Sequence, residues 1–167
     1  NQINFELFEN FLEKNIFRIE KLTCGFIDSV IFIVENNQSL PIDISLKINN
    51  DENLVDNKNI QYSLIDAKQQ ITKFYINKRI VHIIIESYNL DNVKYSFLSE
   101  NINCKNLSID IKFICFPKKL TEKLELILQK NQIFIKKFMC AKYLNSFFND
   151  KSVDINEMAL RINEGCN

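Results

Sequence analysis

Apolar residues near the start of the chain recur at three- and four-residue steps. Phe5, Phe8, Leu12, Ile16, Ile19 and Leu22 are separated by Glu6, Glu9, Glu13, Lys14 and Arg18. That spacing predicts an amphipathic helix over about residues 4–22. Thr23, Cys24 and Gly25 follow, and Gly25 suits a left-handed helix end. The continuous apolar run 27–34 predicts a buried strand, and the polar stretch 36–39 a turn. After Pro41 the period changes to two: Ile42, Ile44, Leu46 and Ile48 alternate with Asp43, Ser45 and Lys47, as in a half-buried strand. A polar loop over 49–57 leads to Asn57, a fitting N-cap for a helix whose inward face is Ile60, Leu64, Ala67, Ile71 and Phe74.

The second half repeats this vocabulary. Residues 80–85 read as a buried strand extended towards Tyr88, and 89–106 as a polar excursion. Leu107, Ile109, Ile111, Phe113 and Cys115 then alternate without a break. Pro117 is placed to open a helix with Leu120, Leu124, Ile127 and Leu128 inward, because proline is tolerated in a first turn. Ile133, Ile135 and Phe138 suggest a last strand, and residues 153–162 a short terminal helix. The expected class is α+β, with helices packed on one face of a mixed sheet. The expected divisions are 1–37 (helix and strand), 38–147 (the main domain) and 148–167 (a tail).

Composition narrows the function classes. Lys+Arg and Asp+Glu are 21 each, for a formal net charge of zero, whereas a protein that tracks phosphates carries an excess of positive charge. No nucleic-acid partner is expected. Cys24, Cys104, Cys115, Cys140 and Cys166 are odd in number and too far apart for C-x-x-C pairs, so they read as reduced thiols in a cytosol. No run reaches the ~20 apolar residues that span a bilayer. The chain begins at Asn1 rather than Met, without a basic-then-apolar leader, so it is expected to be an excerpt of a longer protein.

Candidate chemistry is sparse. Gly25 and Gly165 are the two glycines, and neither sits in a cluster of the kind that lets backbone N–H groups close on a phosphate. No nucleotide or other cofactor is expected, and no catalytic or metal-binding residues are assigned. His82, the single histidine, lies in an apolar strand; as a general base it needs an orienting carboxylate and a nucleophile nearby, for which Tyr88 and Asp91 are the sequence candidates. The simpler reading is a structural histidine. Asp51, Glu52 and Asp56 match no calcium-loop spacing and fit a solvated loop. Lys118, Lys119, Lys136 and Lys137 read as solvent-facing charge, and the Phe5–Phe8–Phe11 stripe as core or a domain interface.

Residues 80–91, IVHIIIESYNLD, are similar to a segment of the bacterial cell-division protein FtsA, in which a short apolar strand carries His, then Tyr six residues on and Asp nine residues on; here these are His82, Tyr88 and Asp91. The stretch from Leu107 to Phe147 resembles the strand, helix and strand that follow in that family, with matches at Ile109, Asp110, Leu124, Leu128, Ile133, Ile135 and Tyr143. The helix and strand before residue 37 fall where the family has a helix and strand of its first actin-like subdomain.

The resemblance implies an SHS2-like (strand-helix-strand-strand) insertion subdomain that binds other division proteins. FtsN-like components are the implied partners, along with FtsZ and self-association. It also implies a cytoplasmic place at the inner face of the cell membrane at the division site, with membrane contact indirect or through a segment beyond Asn167. The departures are specific. Ile85 and Lys142 stand where the family has proline, residues 93–106 replace a glycine-containing loop, and the glycine-rich phosphate loops are missing, which takes ATP binding out of reach. The family places FtsZ binding in the other half of the ATPase. The alternative reading is a small-ligand-binding or enzymatic SHS2-type domain with a pocket near His82 and Tyr88.

Overall fold

The computed structural model describes residues 3–35, 38–48, 57–98 and 103–147. The expectations for residues 36 and 37, the loop 49–56 with Asp51, Glu52 and Asp56, the helix at 153–162, Gly165 and Cys166 lie outside these. The elements are α1 (Phe5–Thr23), β1 (Ser29–Val34), β2 (Leu40–Ile48), α2 (Asn57–Phe74), β3 (Lys78–Leu90), β4 (Val93–Tyr95), β5 (Leu107–Pro117), α3 (Lys118–Lys130), β6 (Phe134–Cys140) and α4 (Ala141–Phe147). The fold is α+β. Parallel and antiparallel pairing are both present, in two separate sheets rather than one mixed sheet.

The chain divides into two compact units: residues 1–37 together with 119–167, and residues 38–118. One boundary of this division follows residue 37 and the other residue 118; α3 lies with the first unit because Ile127 and Leu128 of α3 and Ile133 share a core with Leu12 and Ile16 of α1. Residues 38–118 are therefore an insertion between β1 and α3.

In the first unit β1 and β6 pair in parallel, Ser29 opposite Phe134 and Val34 opposite Cys140. Val30, Phe32 and Ile135 face the core that α1 and α3 cover. Phe8 meets Phe32 edge-on, with ring centroids 5.6 Å apart. Asn4 caps α1 by accepting the Leu7 N–H at 3.1 Å. Steps of about 100° per residue put Phe11 and Leu22 off the arc shared by Phe5, Phe8, Leu12 and Ile16, and they are 54% and 77% exposed. The expected apolar face is thus narrower than the sequence pattern. The left-handed residue that ends α1 is Cys24 (φ 55°), not Gly25. The Cys24 and Gly25 N–H groups both turn back to the Glu20 carbonyl, the latter at 3.2 Å, as in a Schellman ending.

The inserted unit is a four-stranded antiparallel sheet in the order β2-β5-β3-β4. Helix α2 contributes Ile60, Ala67 and Ile71 to a core with Leu107, Ile109, Ile111, Phe113 and Cys115 of β5, none of these five more than 1% exposed. Phe74 lies on the same arc of α2 but is its last residue and 77% exposed. Pro117 ends β5 instead of opening α3, which starts at Lys118 with its N–H on the Asn77 carbonyl at 2.8 Å. Leu120, Leu124, Ile127 and Leu128 are buried as the helical spacing requires.

Two features of this unit were not expected. Part of the excursion after residue 89 is a hairpin: Leu90 pairs with Val93, and Asp91 and Asn92 both have positive φ (47° and 71°), the pattern of a two-residue type I′ turn. Strand β3 is also longer than its apolar run, with register shifts that leave Val81 and Glu86 as bulges.

Cys24→Gly is expected to stabilise the protein by up to about 1 kcal/mol, since it relieves the roughly 1–2 kcal/mol that a Cβ costs at left-handed φ and gives part of this back as freedom of the unfolded chain. Gly25→Ala is expected to be nearly neutral, as an added Cβ meets only the Thr23 carbonyl at 4.0 Å. Phe113→Ala, at a fully buried site, should cost about 3–5 kcal/mol. Urea titration of the three variants checks all three values.

Candidate functional site

Side chains directly opposite on paired strands share a face. The face of the inserted sheet away from α2 therefore collects Asp43, Ser45 and Lys47 from β2, Ser108, Asp110 and Lys112 from β5, Ser87 and Asn89 from β3, and Lys94 from β4. Asp110 is at its centre, paired with Ser45 on one side and Ser87 on the other. Its Oδ2 accepts from Ser87 Oγ at 2.8 Å and from Asn89 Nδ2 at 2.9 Å, with Lys94 Nζ at 4.0 Å. These donors hold the carboxyl below the usual aspartate range, Asn89 contributing most, then Ser87 and Ser45; burial opposes them and Lys94 adds to them. A carboxylate engaged in this way is a weak base, so the cluster is suited to fixing three strands rather than to taking a proton.

Beside it, Lys112 lies between Glu86, the bulged residue, and Asp43, whose Oδ1 is 3.4 Å away. The hydrogen bond that Lys112 donates to the Glu86 carboxylate is the main cause that raises the lysine's pKa, with burial opposing it. At the other end of the face is a cavity of about 290 Å3 lined by Ser45, Lys47, Asn89, Asn92, Asn106, Leu107 and Ser108. Its amide and hydroxyl groups suit a hydrogen-bonding partner.

The first unit has a cavity of different character, about 460 Å3. Ile16, Phe17, Phe26 and Ile27 line it, with Glu13, Glu20, Asp28 and Lys130. Phe17 and Phe26 are 76% and 93% exposed. Glu20 accepts the Ile27 N–H at 3.1 Å, and Lys130 pairs with Glu9.

The residues singled out in the sequence do not converge. His82 is buried and partnered. It pairs with Ile114, whereas Tyr88 pairs with Ile109, five positions along β5, and the two side chains leave opposite faces of the sheet. Even spacing would have put them on one face; the Glu86 bulge between them reverses the pleat. Six residues of strand also separate them by about 20 Å, and neither lines either cavity. Asp91 is in the hairpin turn, where its carboxylate accepts the Asn106 N–H at 2.8 Å and the Lys105 N–H at 3.1 Å, and these bonds lower its pKa. It pins the returning chain to the hairpin instead of orienting His82.

Lys118, Lys119, Lys136 and Lys137 are exposed; Cys104, Cys115 and Cys140 are buried and Cys24 is exposed, none of these four in a disulfide. Burial pushes the Cys115 thiol up. Among the described residues, no group of three or more His, Cys, Asp or Glu side chains is placed to hold a metal ion, and no helix is long and apolar enough to cross a membrane. Sequence reasoning passed over Ser87, Asn89 and Asp110 as a cluster. The available signal was the polar half of the alternating strands. Comparison with known proteins finds no matching protein family and no matching curated protein.

Because folding lowers the pKa of Asp110, its contribution to stability is present above the ordinary aspartate value and lost as pH falls through the folded one. Denaturant midpoints should therefore fall below about pH 4, and Asp110→Asn should flatten that part of the profile. Asp110→Ala, which takes the acceptor from the buried Ser87 hydroxyl, should cost about 1–3 kcal/mol at neutral pH.

Proposed function

We propose that this chain is a non-catalytic, FtsA-like protein-interaction module of the bacterial cell-division machinery, with residues 38–118 as an SHS2-like binding unit. The observation that carries the reading is topological. A strand-helix-strand-strand run (β2, α2, β3 and β5, with β4 as a short return) is inserted between β1 and β6, which pair in parallel. An insertion subdomain within an actin-like subdomain has that arrangement, and the segment with His82, Tyr88 and Asp91 falls on its long strand and turn.

Such a module binds by backbone pairing at a sheet edge and by apolar contacts in a groove. The inserted sheet has β2 and β4 at its margins. The cavity with Phe17 and Phe26 supplies an aromatic surface bordered by carboxylates. Two glycines, with no cluster between them, argue against phosphate chemistry as part of this role. The partners in this reading are division proteins such as FtsZ or FtsN-like components, met at the inner face of the cell membrane.

The test is a tagged full chain in its native cell. The expected outcome is a band at the division site and co-purification of division proteins. A folded, diffusely distributed protein that retains no division protein would overturn the proposal.

A further inference from the structure

We propose that two copies of this chain join through strand β2, edge to edge and antiparallel, about a two-fold axis at Ser45. The inference stands on strand geometry and charge, and does not depend on the FtsA-like reading. β2 pairs with β5 on one side and is the margin of its sheet on the other. Proline is accommodated in a strand where its nitrogen points away from the ladder. Pro41 lies within β2, opposite Ile114, so its nitrogen is directed outward. With a period of two, the N–H and C=O groups of Asp43, Ser45 and Lys47 are directed outward as well.

The sequence of this edge is complementary to itself. Set against an inverted copy with Ser45 opposite Ser45, Asp43 meets Lys47 of the second copy and Lys47 meets its Asp43. All the outward backbone groups of these three residues then find partners. On the helix side Ile44 meets Leu46 and Ile42 meets Ile48, extending a row in which Ile42, Ile44 and Leu46 are only partly buried in the single chain. Registers centred on Asp43 or on Lys47 place like charges opposite one another, which disfavours them. Asp43 also has Lys112 at 3.4 Å, yet its side chain is 65% exposed, and Lys112 is held by Glu86 as well. The joined sheet would run unbroken through eight strands.

Sedimentation velocity on the full chain across a wide concentration range tests this. The expected result is a concentration-dependent dimer that weakens with added salt. Asp43→Lys and Lys47→Asp should each weaken it by about tenfold or more, and the two together should restore it. Ser45→Pro removes one outward N–H without touching the ladder to β5, as Pro41 already does, and should abolish the dimer with an unchanged circular-dichroism spectrum. A chain that stays monomeric at every concentration would overturn the proposal. So would a dimer indifferent to the single reversals or not restored by the pair.

Discussion

Strand β5 has a paired neighbour on each side and a helix over one face, so its backbone groups must be satisfied within the sheet. Its two faces do different work. Leu107, Ile109, Ile111, Phe113 and Cys115 are withdrawn from water on one side, and a large apolar side chain so placed contributes about 1.5–3 kcal/mol. On the other side Asp110 collects hydroxyl and amide donors, where a net hydrogen bond contributes about 1 kcal/mol. The apolar row therefore dominates the stability. Asp110 acts on specificity, because a slip of one residue would carry an ionised carboxylate into the core and the apolar row into solvent. Since β2 and β3 both pair with β5, the positions of every polar group on the open face follow from that register.

Elements built on a single long period were legible in the sequence. The alternation from Leu107 to Cys115 and the inward face of α3 appear in the structure residue for residue. What escaped has local physical causes. β3 continues through Glu86, Ser87 and Asn89 because those polar groups face Lys112 and Asp110, partners 21 to 26 residues away. A bulge is invisible to a period-two reading, so the separation of His82 from Tyr88 could not be foreseen. The hairpin at Asp91 and Asn92 had a usable signal, since Asp and Asn tolerate positive φ. Short α4 offered less than two turns of pattern. The candidate face depends almost wholly on cross-strand neighbours, and one chain read in order does not display them.

The two cavities describe two kinds of recognition in one small protein. The one on the inserted sheet is lined by amides and hydroxyls, which reward a partner able to match individual donors and acceptors. The one between α1 and the end of α3 is aromatic and aliphatic with carboxylates around it, which rewards apolar contact and tolerates a range of shapes.

The insertion also has a bearing on how the chain reaches its native state. β1 and β6 pair in parallel although Ser29 and Phe134 are about a hundred residues apart, and closing so long a loop before any contact rewards it is slow. The inserted unit has its own core and its own hairpin, with its strand pairs nearer in sequence. Once it collapses, the loop that β1 and β6 must close is shortened to little more than its flanking residues. By that loop-closure argument, forming the inner unit first is the order of assembly with the smaller entropic cost, and the insertion would act as a splint for the unit that receives it.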